Sequence, residues 1–228
     1  MRVAALAALC VVTSVQAGVK EARFSEPTTR YDHGILGDAI EFGTLELATD
    51  AGRTLTLKLP ETRVFEDIAP RVLDVDLDGD DEVVVIETSI AKGARLSIYD
   101  ETGLIAATPY IGRTHRWLAP VGGADLDGDG HVELAYVDRP HLAKVLRIWR
   151  FKDGALEHVV DQSGLTNHRI GDEFISGGLR NCGVPELITV NSNWSKIMSS
   201  TLENGRITTR EIGPYNRYSS SKAALLCK

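Results

Sequence analysis

Beyond residue 17 the sequence has no apolar run long enough to cross a bilayer, which argues against a helical membrane protein. It has no basic patch: 25 lysines and arginines face 32 acidic residues, so nucleic acid is not an expected partner. No glycine-rich phosphate loop joins a strand to a helix, and no nucleophile elbow is present. Neither nucleotide chemistry nor α/β-hydrolase chemistry is therefore written in a motif. Cysteine is sparse, with only Cys10, Cys182 and Cys227.

The start of the chain reads as a signal peptide over residues 1–17. Arg2 is followed by the apolar stretch Val3–Val12 and by Val15-Gln16-Ala17, a small-residue cleavage site. Leu9 is too large for a lipoprotein signal at Cys10. The expectation is an exported protein, periplasmic or secreted, with a single monomeric domain over 18–228. Cleavage leaves an even pair of cysteines, and export favours a Cys182–Cys227 disulfide. Two unpaired buried thiols are the alternative.

Without Arg2 the chain holds 24 basic and 32 acidic residues, a net charge of −8. Ten of those acids sit in two short runs 51 residues apart, Asp74–Glu82 and Asp125–Glu133. Both read D-x-D-x-D-G-x-x-E before an apolar strand. A hard cation such as Ca²⁺ takes six to eight oxygens at roughly 2.3–2.6 Å. Acids at positions 1, 3 and 5 of a curled loop supply several, and glycine at position 6 permits a sharp turn. The carbonyl of position 7 and the carboxylate of position 9 complete the set. The expected calcium ligands are Asp74, Asp76, Asp78, Asp80 and Glu82 in loop 1, and Asp125, Asp127, Asp129, His131 and Glu133 in loop 2. Like charges about 4 Å apart repel by about 1 kcal/mol in water and ~4 kcal/mol at an effective dielectric near 20, so the acids favour a cation. An EF-hand needs an acid at position 12 and flanking helices; Val85 and Tyr136 stand there instead, inside strand-like runs.

The repeat extends past the loops. Glu82, Glu133 and Glu186 each open an apolar strand, and Arg63, Arg116 and Arg169 recur every 53 residues. Paired strands follow each Glu, joined at Glu101-Thr102-Gly103, Lys152-Asp153-Gly154 and Glu203-Asn204-Gly205. This gives repeats of about 63–111, 116–164 and 169–212. In the third loop Gly178, Arg180 and Cys182 replace the first three acids, so Arg180 is expected to supply a fixed positive charge in place of an ion. Strand-like segments at 43–49 and 54–59 precede the repeats, and Ala223–Leu226 is expected to be a strand pairing with them.

The two acidic loops resemble those of the FG-GAP/VCBS repeat family, integrin-like blades with D-x-D-x-D-G-x-x-D/E calcium loops. The resemblance implies an all-β, β-propeller-like fold. It would have about four blades of four-stranded antiparallel sheet, three full repeats plus a blade closed by both termini. An open stack of sheets is the alternative. It implies two calcium sites and leaves activity open.

Thr114-His115-Arg116 and Asn167-His168-Arg169 fall at one repeat position. Either His115, Arg116, His168 and Arg169 form a polar or anion-binding mouth, with Arg180 a further candidate, or they bond neighbouring blades. His33 reads as part of a polar turn or as half of an acid–base pair, and His141 as a loop residue. Trp117, Trp149 and Trp194 read as packing residues. The leading functional reading is an exported calcium-binding module for an unknown protein or small-molecule ligand, with calcium structural. The alternative is a periplasmic hydrolase with a His/Arg centre at the ring mouth, using His115, His168 or His33.

Overall fold

The structure, a computed structural model, describes residues 18–227; the signal-peptide reading of 1–17 lies outside the described residues. Three sheet units follow one another in chain order. In the first, β4 (Arg63–Phe65) and β5 (Arg71–Leu73) lie end to end along β6 (Glu82–Ser89), followed by β7 (Gly93–Asp100) and β8 (Gly103–Ala107). The second is β9 (Leu118–Ala124), β10 (Glu133–Asp138), β11 (Val145–Lys152) and β12 (Ala155–Ser163). In the third, β13 (Leu165–Thr166) and β14 (Gly178–Asn181) share an edge of β15 (Pro185–Asn191), followed by β16 (Lys196–Glu203) and β17 (Arg206–Pro214). All pairings are antiparallel, and each acidic loop or its degenerate copy joins the first and second strand of a unit. This all-β, propeller-like architecture is the one the sequence predicts.

Hairpin chemistry sets the register. Asp153-Gly154 and Asn204-Gly205 have positive φ at both central positions, which matches the twist of the flanking strands. The four apolar residues Val83–Ile86 are explained by packing on both faces. Val83 and Val85 bury against Leu45, Leu47 and Phe65, while Val84 and Ile86 bury among Leu96, Trp117, Leu118 and Leu134. A strand covered on both sides has no solvent face to alternate with. Each such side chain contributes roughly 1.5–3 kcal/mol through burial.

The cover on the first side is a three-stranded sheet of β1 (Val19–Thr28), β2 (Glu41–Thr49) and β3 (Thr54–Lys58). It joins the first unit at the Phe42–Phe65 bridge. β2 and β3 fall where the sequence places strands; β1 is additional.

The C-terminus differs from expectation. Ala223–Leu226 does not form a strand with β2 and β3; Tyr218–Leu225 is a helix, α1. Its sequence, Tyr-Ser-Ser-Ser-Lys-Ala-Ala-Leu, has no β-branched residue, and Ala, Leu and Lys are strong helix formers. The helix lies against the third unit, where Ala224 and Leu225 pack with Ile188, Val190, Ile197 and Tyr215. The N-terminal sheet thus packs on the first unit and the C-terminal helix on the third. The Cys182–Cys227 disulfide ties the end of α1 to the third loop.

Candidate cation loops and a histidine-lined mouth

In loop 1 the carboxylates of Asp74, Asp76 and Asp78 place one oxygen each within 4.8 Å of one another. The chain is curled by short local bonds. The Gly79 N–H donates to Asp74 Oδ2 (3.1 Å), and the Asp80 N–H donates to Asp78 Oδ1 (2.9 Å). Gly79, at position 6, has φ +98°, which supplies the expected turn. Glu82 turns back into the loop, where Oε2 accepts the Val75 N–H (2.9 Å). Burial, assisted by the charges of Asp76, Asp78 and Asp74, pushes the Glu82 carboxyl up to about 7. Asp74 Oδ1 is buried with no hydrogen-bond partner. Among the described residues no lysine, arginine or histidine makes an ion pair with Asp74, Asp76, Asp78 or Glu82. An orphaned buried carboxylate oxygen among repelling acids fits a hard cation.

Loop 2 gathers a different set, with Asp125 and Asp127 joined by Glu133 at position 9 in place of the acid at position 5. Glu133 Oε2 accepts the Leu126 N–H (2.8 Å), the counterpart of the Glu82 bond, and Asp127 Oδ1 is again buried and unpartnered. The electrostatics differ. Arg150, directly across from Glu133 in the β10–β11 register, reaches three acids. Its Nε contacts Glu133 (2.5 Å), while its terminal nitrogens contact Asp127 and Asp129 (2.8 Å each). The residue at the same register in the first unit is Asp100, so loop 1 has no such arginine. Asp129, an expected ligand, is here an ion-pair partner of Arg150.

The third loop is fully neutralised. Arg180 contacts Glu186 at 2.6 Å and Arg210 contacts it at 2.5 Å, with the Ser199 hydroxyl donating as well (2.6 Å). Burial raises the Glu186 carboxyl, but these donors outweigh it and hold it below the ordinary range. Arg180 also donates to the Ala224 carbonyl at the end of α1 (2.6 Å). The three copies form a series with no arginine at the first loop, one at the second and two at the third.

A different group gathers at the loops between units. His33, His115, Arg116, Arg139 and His141 line a cavity of about 220 Å³ with Ile35, Trp117, Pro140, Leu142 and Ile170. Tyr31 stacks on His115 (5.2 Å between rings) and its hydroxyl accepts the His115 N–H (2.8 Å). His115 Nε2 meets Asp32 at 2.9 Å. His33 Nδ1 makes a short contact with Glu66, which is wholly buried and also accepts the Thr88 hydroxyl (2.6 Å).

The histidine tautomers follow from their partners. His168 Nε2 faces the Asp172 carbonyl (2.8 Å) and must donate to it, so Nδ1 accepts. His141 Nε2 lies 3.0 Å from that Nδ1 and therefore carries its proton. Burial, with the charges of His168 and His33, lowers His141 to about 4. Burial and the Arg116 charge lower His33 to about 4, and burial raises Glu66 to about 8. Burial thus favours the uncharged form of each partner in the Glu66–His33 contact.

The repeated His-Arg positions part company. His115 and Arg116 line the mouth. His168 is buried beneath it, edge-on to Trp117, while Asn167 bonds the Ala119 and Pro120 carbonyls of the second unit. Arg169 stacks on Trp194 (4.3 Å) away from the mouth. Glu66, Arg150 and the cavity role of His141 are additions to the sequence reading. Only Arg150 had a local signal, its position across a hairpin from Glu133.

These acids give a pH prediction. Burial, then the charges of Glu66, Asp38 and Asp67, push Glu41 up to about 9. A carboxyl raised on folding favours the folded state while protonated, and that stability is lost as pH rises through the folded value. Histidines lowered on folding act only below about 6.5. Stability should therefore fall between about pH 6.5 and 9. Glu41→Gln should flatten that limb, as read from denaturant midpoints across the range.

Residues 74–136, from the first acid of loop 1 into the strand after loop 2, match the model of the FG-GAP-like repeat. This stretch is similar to an FG-GAP-like repeat, and the propeller-like sheets around it are compatible with that class. No curated protein matches the chain. Among the described residues no helix is long and apolar enough to cross a membrane.

Proposed function

We propose that this chain is an exported calcium-binding FG-GAP-like repeat protein that serves as an interaction or ligand-binding module. Calcium acts as a clip on the loops that lead into β6 and β10. The observation that carries the reading is the buried, unpartnered Asp74 Oδ1 within the Asp74–Asp76–Asp78 cluster. Loop 1, with the Asp80 carbonyl and Glu82 completing the set, is the stronger site. Loop 2 shares its acids with Arg150 and holds calcium more weakly, the His131 carbonyl being its position-7 ligand. The disulfide supports an oxidising compartment.

Binding to the folded state alone stabilises it, by about 2.7 kcal/mol when calcium exceeds Kd a hundredfold. Asp76→Asn should remove the tighter calcium and the melting shift that goes with it. Asp127→Asn should leave that calcium in place. Equilibrium dialysis with melting curves reads both; equal losses from the two variants would refute the ranking of the loops. The hydrolase alternative finds its acid–base pair in Glu66–His33. Among the described residues, however, none of His33, His115 and His141 is hydrogen-bonded to a serine, threonine or cysteine side chain. That alternative requires turnover that His33→Ala abolishes with the fold intact.

A further inference from the structure

We infer that the histidine-lined mouth binds a small organic carboxylate, with the anionic head on Arg116 and a short apolar body on Leu142 and Ile170. The inference gives the ligand-binding reading a chemical class and rests on it, but needs no calcium.

Among the described residues the other titratable groups at the mouth have partners, and Arg116 has no carboxylate. Asp32 is held by His115, Glu66 by His33, and Asp138 by Arg139 (2.8 Å). Arg116 is half-buried, and its guanidinium donates to the neighbouring His115 carbonyl (2.6 Å). Among the described residues no carboxylate forms an ion pair with it. A guanidinium carries five N–H donors in a planar fork that matches a carboxylate in two-point fashion. His33 commits Nδ1 to Glu66, and among the described residues Nε2, in the same cavity lining, has no hydrogen-bond partner. When Nδ1 accepts from the Glu66 carboxyl, or when His33 is charged, Nε2 carries a hydrogen and is a second donor beside Arg116.

The remaining lining decides the rest of the ligand. Ile35, Trp117 and Pro140 are apolar walls, and Leu142 and Ile170 stand 64% and 71% exposed at the rim. Two large aliphatic side chains left in water beside an unpaired arginine match an amphiphilic anion better than a bare inorganic one. The cavity of about 220 Å³ opens to solvent at this rim, which leaves room for a short-chain or single-ring carboxylate whose apolar body reaches Leu142 and Ile170.

Titration calorimetry of the full mature chain with hexanoate, acetate and inorganic phosphate tests this, once with calcium and once with chelator. Hexanoate is expected to bind at least tenfold more tightly than acetate or phosphate. Arg116→Gln should weaken it at least tenfold, and Leu142→Ser should weaken hexanoate while leaving acetate unchanged. Leu142→Ser, at the exposed rim, keeps the test open if Arg116→Gln disturbs the fold. No hexanoate binding, equal binding of phosphate, or indifference to both substitutions would overturn the site. Failure here with an intact calcium-dependent melting shift leaves the calcium reading standing. Hexanoate binding without any effect of calcium would separate the two the other way.

Discussion

Arg150→Met is expected to make the second unit dependent on calcium. Glu133 is fully buried and the Asp127 side chain only 8% exposed, and Arg150 contacts both. Removing one partner of a buried ion pair leaves an uncompensated charge and costs about 3–5 kcal/mol. In a domain of this size 1 kcal/mol moves Tm by roughly 2–4 °C, so in chelator the variant should melt on the order of 10 °C below the parent. The substitution also frees the acids that a cation needs. Calcium should then recover most of the loss and bind loop 2 more tightly than in the parent. Melting curves of both proteins with and without calcium make the comparison. Equal losses in calcium and in chelator would show that Arg150 is only a packing residue.

Loss of the disulfide should cost a similar amount and show no rescue by calcium. Cys182 and Cys227 are 45 residues apart, and cross-linking a loop of that length removes about 4 kcal/mol of chain entropy from the unfolded state, less any native strain. The bond also holds α1 against Ile188, Val190 and Ile197. Cys182→Ser with Cys227→Ser should lower Tm by roughly 5–15 °C in calcium and in chelator alike. Exposed apolar surface on the third unit would be seen as dye binding before the main transition. A transition unmoved by the double substitution would mean that Arg180, through Glu186 and the Ala224 carbonyl, holds the helix unaided.

The contrast between these variants reflects one design repeated with different counter-charges. Glu82, Glu133 and Glu186 stand at the start of their strands. Glu82 and Glu133 each accept a loop N–H from position 2. Glu186 instead takes its donors from Ser199, Arg180 and Arg210. Among the described residues the carboxylate at this position meets no arginine in the first copy, one in the second and two in the third.

The repeating core was legible because its signals are local. Val83–Ile86 and its counterparts are short apolar runs rich in β-branched residues, bounded by Asp-Gly and Asn-Gly turns, and loop duplication gave the period. Arg180 as a tethered charge was also legible, since it stands at a ligand position. β1 was not, because Val19–Thr28 is largely polar, includes Pro27 and is paired by β2 rather than by its own pattern. The Ala223–Leu226 run was misread as a strand because four apolar residues do not distinguish helix from strand. The mouth was legible only in part: the repeated His-Arg position pointed to His115 and Arg116, but not to what they meet. Tyr31 meets His115 across 84 residues and His33 meets Glu66 across 33, and no motif announces contacts at such separations.

The central claim is that an ion at loop 1 braces this fold, and one comparison tests it most directly. The parent protein, stripped of metal, is melted by calorimetry in excess chelator and again in millimolar calcium, with magnesium as a control. The account predicts a Tm higher in calcium by roughly 5–10 °C, with little change in magnesium, which demands a stricter octahedral site. Coincident melting curves in calcium and chelator would contradict it.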